Sequence, residues 1–309
     1  MRLVGCLVLF AACSSTSPSD YEGQLRDANC AQLVRCNEFP DVTSCQQFFV
    51  VNDASFEAEI AAGTINFDSD KANECINAIK NAPCDLTAKE SRVTPDACTQ
   101  AVSGTLEDNT DCYSNESCKS GTCIAQSCPD ACCVGQCRAE SPPANMGEPC
   151  ATRACAEGLT CDNTKTCVPL YTAGTTCIDS TDCEYGLACV GSPGTCQDIP
   201  HTGEACTDIC GDLGTHCAGT CVADGLAGAA CTTNADCSPF YPCDTTSGQC
   251  TALPTAGQAC TGLCSDTSYC DSTSKTCTPR QANGATCTAA AQCESNFCKT
   301  TCQDPPECG

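Results

Sequence analysis

Forty of the 309 residues are cysteine, a density that no ordinary globule carries. Free thiols in such number are untenable in a reducing cytosol, whereas in an oxidising compartment they mark small modules stapled by disulfides. The chain is therefore expected in a periplasm or outside the cell. It has no Trp, and five of the seven Phe residues beyond Phe10 (Phe39, Phe48, Phe49, Phe56 and Phe67) precede residue 70. A large shared apolar core is thus excluded for most of the length.

From about residue 104 the cysteines repeat. Each unit opens with a turn residue three places before a cysteine: Gly147/Cys150, Gly174/Cys177, Gly203/Cys206, Gly228/Cys231, Gly257/Cys260 and Gly284/Cys287. Asn109/Cys112 obeys the same rule, because Asn comes next to Gly in tolerating a left-handed backbone. Three more cysteines follow in each unit, as in Cys177, Cys183, Cys189 and Cys196 or Cys231, Cys237, Cys243 and Cys250. The opening cysteines from Cys150 to Cys287 recur every 25 to 29 residues, the mark of a tandem array. Seven units of four take 28 cysteines of this region and leave Cys132, Cys133, Cys137 and Cys308 as an addition. Segments 161–167 and 270–277 read as short hairpins turned by Asp, Asn and Ser.

A unit with a handful of apolar side chains cannot offset its backbone entropy by burial. Two disulfides, each worth roughly 2–4 kcal/mol, are of the size needed. Units with so little surface to share are expected to touch only their chain neighbours, which makes the array elongated.

Residues 21–103 read instead as a helical domain tied by Cys30, Cys36, Cys45, Cys75, Cys84 and Cys98, with fifteen pairings open. Thr43 with Gln46 forms a capping box, Asp53 or Ser55 caps a helix over 56–62, and Gly63 stops it. Over 68–81 the side chains Ala72, Cys75, Ile76 and Ile79 share one helical face, and Pro83 ends the run. Pro95 is expected at the first position of another helix. Asp68-Ser69-Asp70 begins like a calcium loop, but Asn73 stands where Gly is required and Ile79 where Glu should close the site, so capping accounts for these acids.

Residues 1–12 read as a leader: Met1 and Arg2, an apolar stretch over 3–10, then Ala11 and Ala12 before Cys13. This resembles a bacterial lipoprotein signal, which implies a lipid on Cys13, a polar tether over 13–20 and anchoring by two or three acyl chains. Ser14 in place of Asp resembles outer-membrane sorting. Removing Cys6 with the leader and Cys13 with the lipid leaves 38 cysteines, an even number that allows nineteen disulfides and no free thiol.

The pattern Gly-x-x-Cys-x5-Cys-x5-Cys-x6-Cys is similar to EGF-like and Dickkopf N-terminal-like modules. Cys112, Cys118, Cys123, Cys128, the doublet Cys132-Cys133 and Cys137 come closest to the Dickkopf N-terminal region, with a shorter gap between the third and fourth cysteines. Taken whole, the chain resembles cysteine-rich lipoproteins of myxobacteria and related bacteria. The resemblance implies a bacterial outer-membrane or cell-surface location and little biochemistry, because a shared scaffold does not carry a shared activity.

Thirty-eight acidic against 14 basic residues give a net charge of −24, which repels phosphate backbones and excludes nucleic acid as a partner. His201 and His216 are the only histidines, expected as solvated loop residues, and a nucleophile–His–acid arrangement would have to be improvised around them. No Gly-x-Ser-x-Gly, His-Glu-x-x-His or Walker-type loop occurs, and no Cys-x-x-Cys offers thiol exchange. Pairs such as Cys206/Cys210 and Cys217/Cys221 match zinc-ligand spacing, yet an oxidising setting favours bridges, so neither metal nor cofactor is expected.

These readings assemble into a small disulfide-rich fold. An N-terminal disulfide-tied helical domain (21–103) leads to a first module with a Cys-Cys insert (104–145) and six tandem two-disulfide hairpin modules (146–309). The expected function is non-enzymatic binding, adhesion or structure at the cell surface, with the membrane held through the lipid and an extracellular protein or glycan as partner. The alternative is a protease inhibitor presenting a rigid loop such as 238–242.

Overall fold

In the segment 68–81, Asp68 turns its carboxylate back to accept the amide N–H groups of Asp70 and Lys71, both at 3.0 Å. That satisfies donors which the first helical turn leaves open and starts a helix over Ser69–Asn81. In the computed structural model of the chain, which describes residues 16–46, 49, 53–124, 134–139, 142–191, 194–207, 209–260, 262, 264 and 268–304, this is α4. The others are α1 (Pro18–Arg35), α2 (Val42–Gln46), α3 (Asp53–Ala62), α5 (Lys89–Arg92) and α6 (Asp96–Ala101). Strands β1 (Ile65–Phe67) and β2 (Val102–Gly104) pair antiparallel, with Phe67 opposite Val102.

Helix α4 buries Ala72 and Cys75 completely, against a core made by Tyr21, Phe56, Ile65 and Ala101. Tyr21 meets Phe67 edge-on with ring centroids 5.3 Å apart, the arrangement that aromatic quadrupoles favour. The six cysteines pair as Cys30–Cys45, Cys36–Cys84 and Cys75–Cys98. Gly63 ends α3 at φ +75°, donating to Ile60 O at 3.0 Å.

Three details differ from the sequence reading. α2 begins at Val42, so Asp41 rather than Thr43 stands at its cap and accepts from Ser44 N–H at 2.8 Å. Pro95 precedes α6 as its cap residue instead of entering it. Thr16 is buried and donates to Asn73 Oδ1 at 2.6 Å, and Pro18 opens α1, so residues 16–20 of the tether expected over 13–20 belong to the helical segment. The leader, Cys13, Phe48 and the side chains of Asp53 and Ser55 lie outside the described residues.

Beyond residue 104 the structure is disulfides and very short antiparallel strand pairs. Units one to seven span 109–137, 147–167, 174–196, 203–221, 228–250, 257–277 and 284–302. In every one the first cysteine bonds the third and the second bonds the fourth, as in Cys177–Cys189 with Cys183–Cys196 and Cys231–Cys243 with Cys237–Cys250. The third and fourth cysteines face each other across the hairpin, for example Cys189 opposite Cys196 and Cys270 opposite Cys277.

The opening turn residue has φ between +65° and +95° in all seven units, and its amide donates to the carbonyl of the fourth cysteine at 2.7–2.9 Å. This is why Gly or Asn stands there: a left-handed residue aims its N–H across the unit. Each unit's centre is its own cystines. Cys177, Cys183 and Cys196 are buried, with only Tyr171, Leu187 and Cys189 packed around them.

Unit one corrects the cysteine count. Its strand Gly135–Cys137 pairs with both Asp111–Cys112 and Cys123–Ile124, which places Cys137 opposite Cys123 and bonds it to Cys118. Cys137 is therefore that unit's fourth cysteine. Cys128, Cys132, Cys133 and Cys308 lie outside the described residues.

The expectation that units touch only their chain neighbours does not hold. Units one to five each reach the helical segment. Ser114 donates to Glu59 at 2.6 Å, Lys89 pairs with Glu157 at 2.5 Å, and Gly186 N–H meets Thr87 O at 3.0 Å. Leu86 N–H meets Gly211 O and Leu213 N–H meets Cys84 O, both at 2.8 Å, and Ser238 Oγ donates to Glu38 O at 2.7 Å. The reason is polar as much as apolar: the loop over 84–92 and the turn over 37–39 leave backbone groups open that the units complete. An array standing free of the helices is thus replaced by one whose first five units lie along them.

Candidate functional site

Unit four carries His216, with His201 two residues ahead of it, and it sits at the seam with the helical segment. Asp212 lies opposite Asp85 in an isolated antiparallel bridge. Gly214, at φ +62°, passes so close that a Cβ there would sit 2.1 Å from Cys36 O. Its N–H donates to Glu38 Oε1 at 2.8 Å, and Asn37 Nδ2 donates to Asp224 O at 2.7 Å.

The imidazoles flank this seam. His201 Nδ1 lies 3.1 Å from Asp212 Oδ1, while Asp212 Oδ2 accepts from the amide and hydroxyl of Thr202, both at 2.7 Å. Burial lowers the His201 pKa, but the hydrogen bond with Asp212 and the charges of Asp85, Asp212 and Glu204 outweigh it and hold the group above the ordinary imidazole value. Burial likewise opposes the charge of Asp212, and its bonds from Thr202 and His201 still keep it below the usual carboxylate range.

His216 Nδ1 lies 2.9 Å from Asp224 Oδ1 and its Nε2 3.9 Å from Asp236 Oδ1. Burial raises the Asp224 pKa, with Asp236 adding to it and His216 opposing; Asp236 is held well below the usual range by bonds from Thr232 and Thr233. Glu38, also raised by burial, adds a third acid within the field of Asp224.

The histidines are therefore not the solvated loop residues that the sequence suggested. They are partly buried partners of carboxylates at a joint, a role invisible in sequence because their acids come from 11, 8 and 20 residues away and from another unit. Both nitrogens of His216 face carboxylates, so neither is turned to a hydroxyl or thiol. Every described cysteine is in a disulfide, and the sulfur clusters within units, Cys206, Cys210 and Cys221 among them, arise because two bridges cross.

Within the loop 238–242, Ser238 and Phe240 turn to packing while Pro239 and Pro242 stay exposed. Ser238 is buried, and Phe240 stacks on Phe39 with centroids 4.2 Å apart. Among the described residues no helix is long and apolar enough to cross a membrane. Cys13 lies outside them. Comparison with protein-family models, curated proteins and solved structures finds no match to the chain.

Proposed function

We propose that the chain is a lipid-anchored cell-surface protein with a non-enzymatic binding role, held to a bacterial outer membrane through Cys13. In this reading a helical domain at the anchor is followed by a tandem array of two-disulfide modules that meets an extracellular protein or glycan. The observation that carries the proposal is the repeated use of paired cystines as the centre of units two to seven. Such blocks spend their side chains on rigidity and leave turns and grooves as the working surface.

Thr16 is buried three residues after Cys13, so in this reading a lipid on Cys13 lies next to the helical domain in the chain, with units six and seven furthest along the chain from it. Mass spectrometry of the native protein tests the anchor. The expected result is an N-terminal Cys13 bearing lipid. An unmodified N-terminus elsewhere, with the protein free in the medium, overturns it.

A further inference from the structure

Between units five and six lies an open groove of about 780 Å³. Loop 238–242 and linker 251–254 form one side, and unit six forms the other. Its lining departs from the rest of the molecule. In a chain of 38 acidic and 14 basic residues, no carboxylate among the described residues lines this groove, and its charged side chain among them is Lys275.

Two side-chain amides on its lining offer donors. Asn234 Oδ1 is taken by Cys243 N–H at 2.9 Å, which leaves its NH2 group. Gln258 Oε1 is taken by Thr255 N–H at 2.8 Å, which leaves its NH2 as well. Lys275 is exposed and makes no ion pair among the described residues; its neighbouring acid, Asp271, is turned onto the amides of Thr273 and Ser274. Tyr241, half-buried, supplies an apolar ring face with a polar tip.

We propose that this groove binds a short oligosaccharide bearing an isolated uronic acid. Two amide NH2 groups and one ammonium around an aromatic side chain match a ligand that is rich in acceptors, carries one carboxylate and offers a C–H face for stacking. The net charge argues against densely charged polyanions, whose many phosphates or sulfates meet the field of the whole acidic surface. A single carboxylate beside Lys275 is screened from distant acids beyond about 8 Å at physiological salt.

A peptide fits less well. The strands beside the groove, Cys243–Asp244 and Gln249–Cys250, are too short to extend a ladder with an added strand. Phe240, which could have made a second aromatic ridge for a proline helix, is stacked on Phe39.

The inference rests on the binding role proposed above, but not on the anchor. Its test uses the full chain purified in detergent, with a glucuronic-acid-terminated trisaccharide, the same trisaccharide ending in glucose, and an acidic proline-rich peptide, each followed by saturation-transfer NMR and calorimetry. The acidic sugar is expected to bind and the neutral one at least about tenfold more weakly, the size of a lost charge-assisted bond. Lys275→Asn, which keeps a residue suited to the φ of +55° there, is expected to remove that preference. Lys165→Asn, at the matching hairpin position of unit two with φ +62°, is expected to leave it unchanged. Gln258→Ala is expected to weaken both sugars about threefold, as for one neutral hydrogen bond. Equal binding of the two sugars, an unchanged preference in Lys275→Asn, or Lys275-dependent binding of the peptide instead overturns the proposal. Failure to bind the acidic sugar at all also overturns it, while the anchor stands or falls separately on the mass of the N-terminal residue.

Discussion

Gly214→Ala is expected to lift unit four off the helical segment without unfolding either. A Cβ at 214 would lie 2.1 Å from Cys36 O and 2.8 Å from Asn37 C, both backbone atoms of a turn tied by Cys36–Cys84, so the neighbour cannot yield by rotating a side chain. The left-handed backbone at φ +62° costs Ala about 1–2 kcal/mol. Separation also loses the charge-assisted bond from Gly214 N–H to Glu38, about 1.5–3 kcal/mol, and about 1 kcal/mol for Asn37 to Asp224 O. The backbone cost falls within unit four, and the two bonds together, about 2.5–4 kcal/mol, raise local opening by about a hundredfold to a thousandfold. Hydrogen exchange reads this at the amides of Leu86 and Leu213, which bond across the seam at 2.8 Å.

Unit four itself is held by Cys206–Cys217 and Cys210–Cys221, so the Cys221 amide, bonded within the unit, is expected to keep its protection. Gly219→Ala is the matched control. It carries φ +85° in the same unit, but a Cβ there meets nothing within 4 Å, so only the local backbone cost applies. If Leu86 and Leu213 stay protected in Gly214→Ala, or lose protection equally in Gly219→Ala, the close-approach reasoning fails.

Acidity should tighten the same seam, since His201, Glu38 and Asp224 are all held above their ordinary values. A raised group binds its proton more tightly folded than unfolded, so its contribution is complete below the unfolded pKa and disappears as pH rises through the folded one. Asp212 and Asp236 are lowered, and theirs is lost as pH falls below about 4. Seam protection, corrected for intrinsic exchange, is expected to peak near about pH 5 and decline towards pH 8, beyond the ordinary His value of about 6.5; a rise over that range contradicts the assignment. Replacing Cys183 and Cys196 by Ala should cost unit three about 3 kcal/mol through its closed loop of 13 residues and expose the Cys196 amide, with unit seven unaffected. Non-reducing peptide mapping should recover Cys118 joined to Cys137; a Cys118–Cys128 peptide would return unit one to the simpler count.

The period of the cysteines and the turn residue ahead of each unit were legible in the chain because both are local requirements. A left-handed opener is demanded by a bond closing only within its own unit, and Asp68 caps α4 through residues two and three places on. Helix α4 announced its buried face in the same way, through Ala72 and Cys75 at helical spacing. These are choices that a few neighbouring residues settle among themselves.

What only the tertiary structure decided is everything that depends on which open group meets which. Spacing left the pairings of six helical-segment cysteines equivalent, and the choice of Cys36–Cys84 follows from how α1 and α4 pack. Cys137 took the fourth place in unit one because a strand at 135–137 completes a three-stranded sheet across the insert. The docking of units three and four was hidden because it runs through backbone atoms, as at Gly186, Gly211, Leu213 and Gly214, and a main-chain N–H or C=O is the same for every residue. Sequence fixes where such groups lie along the chain, but their partners are chosen by distance in space, and that distance exists only once the helices have packed.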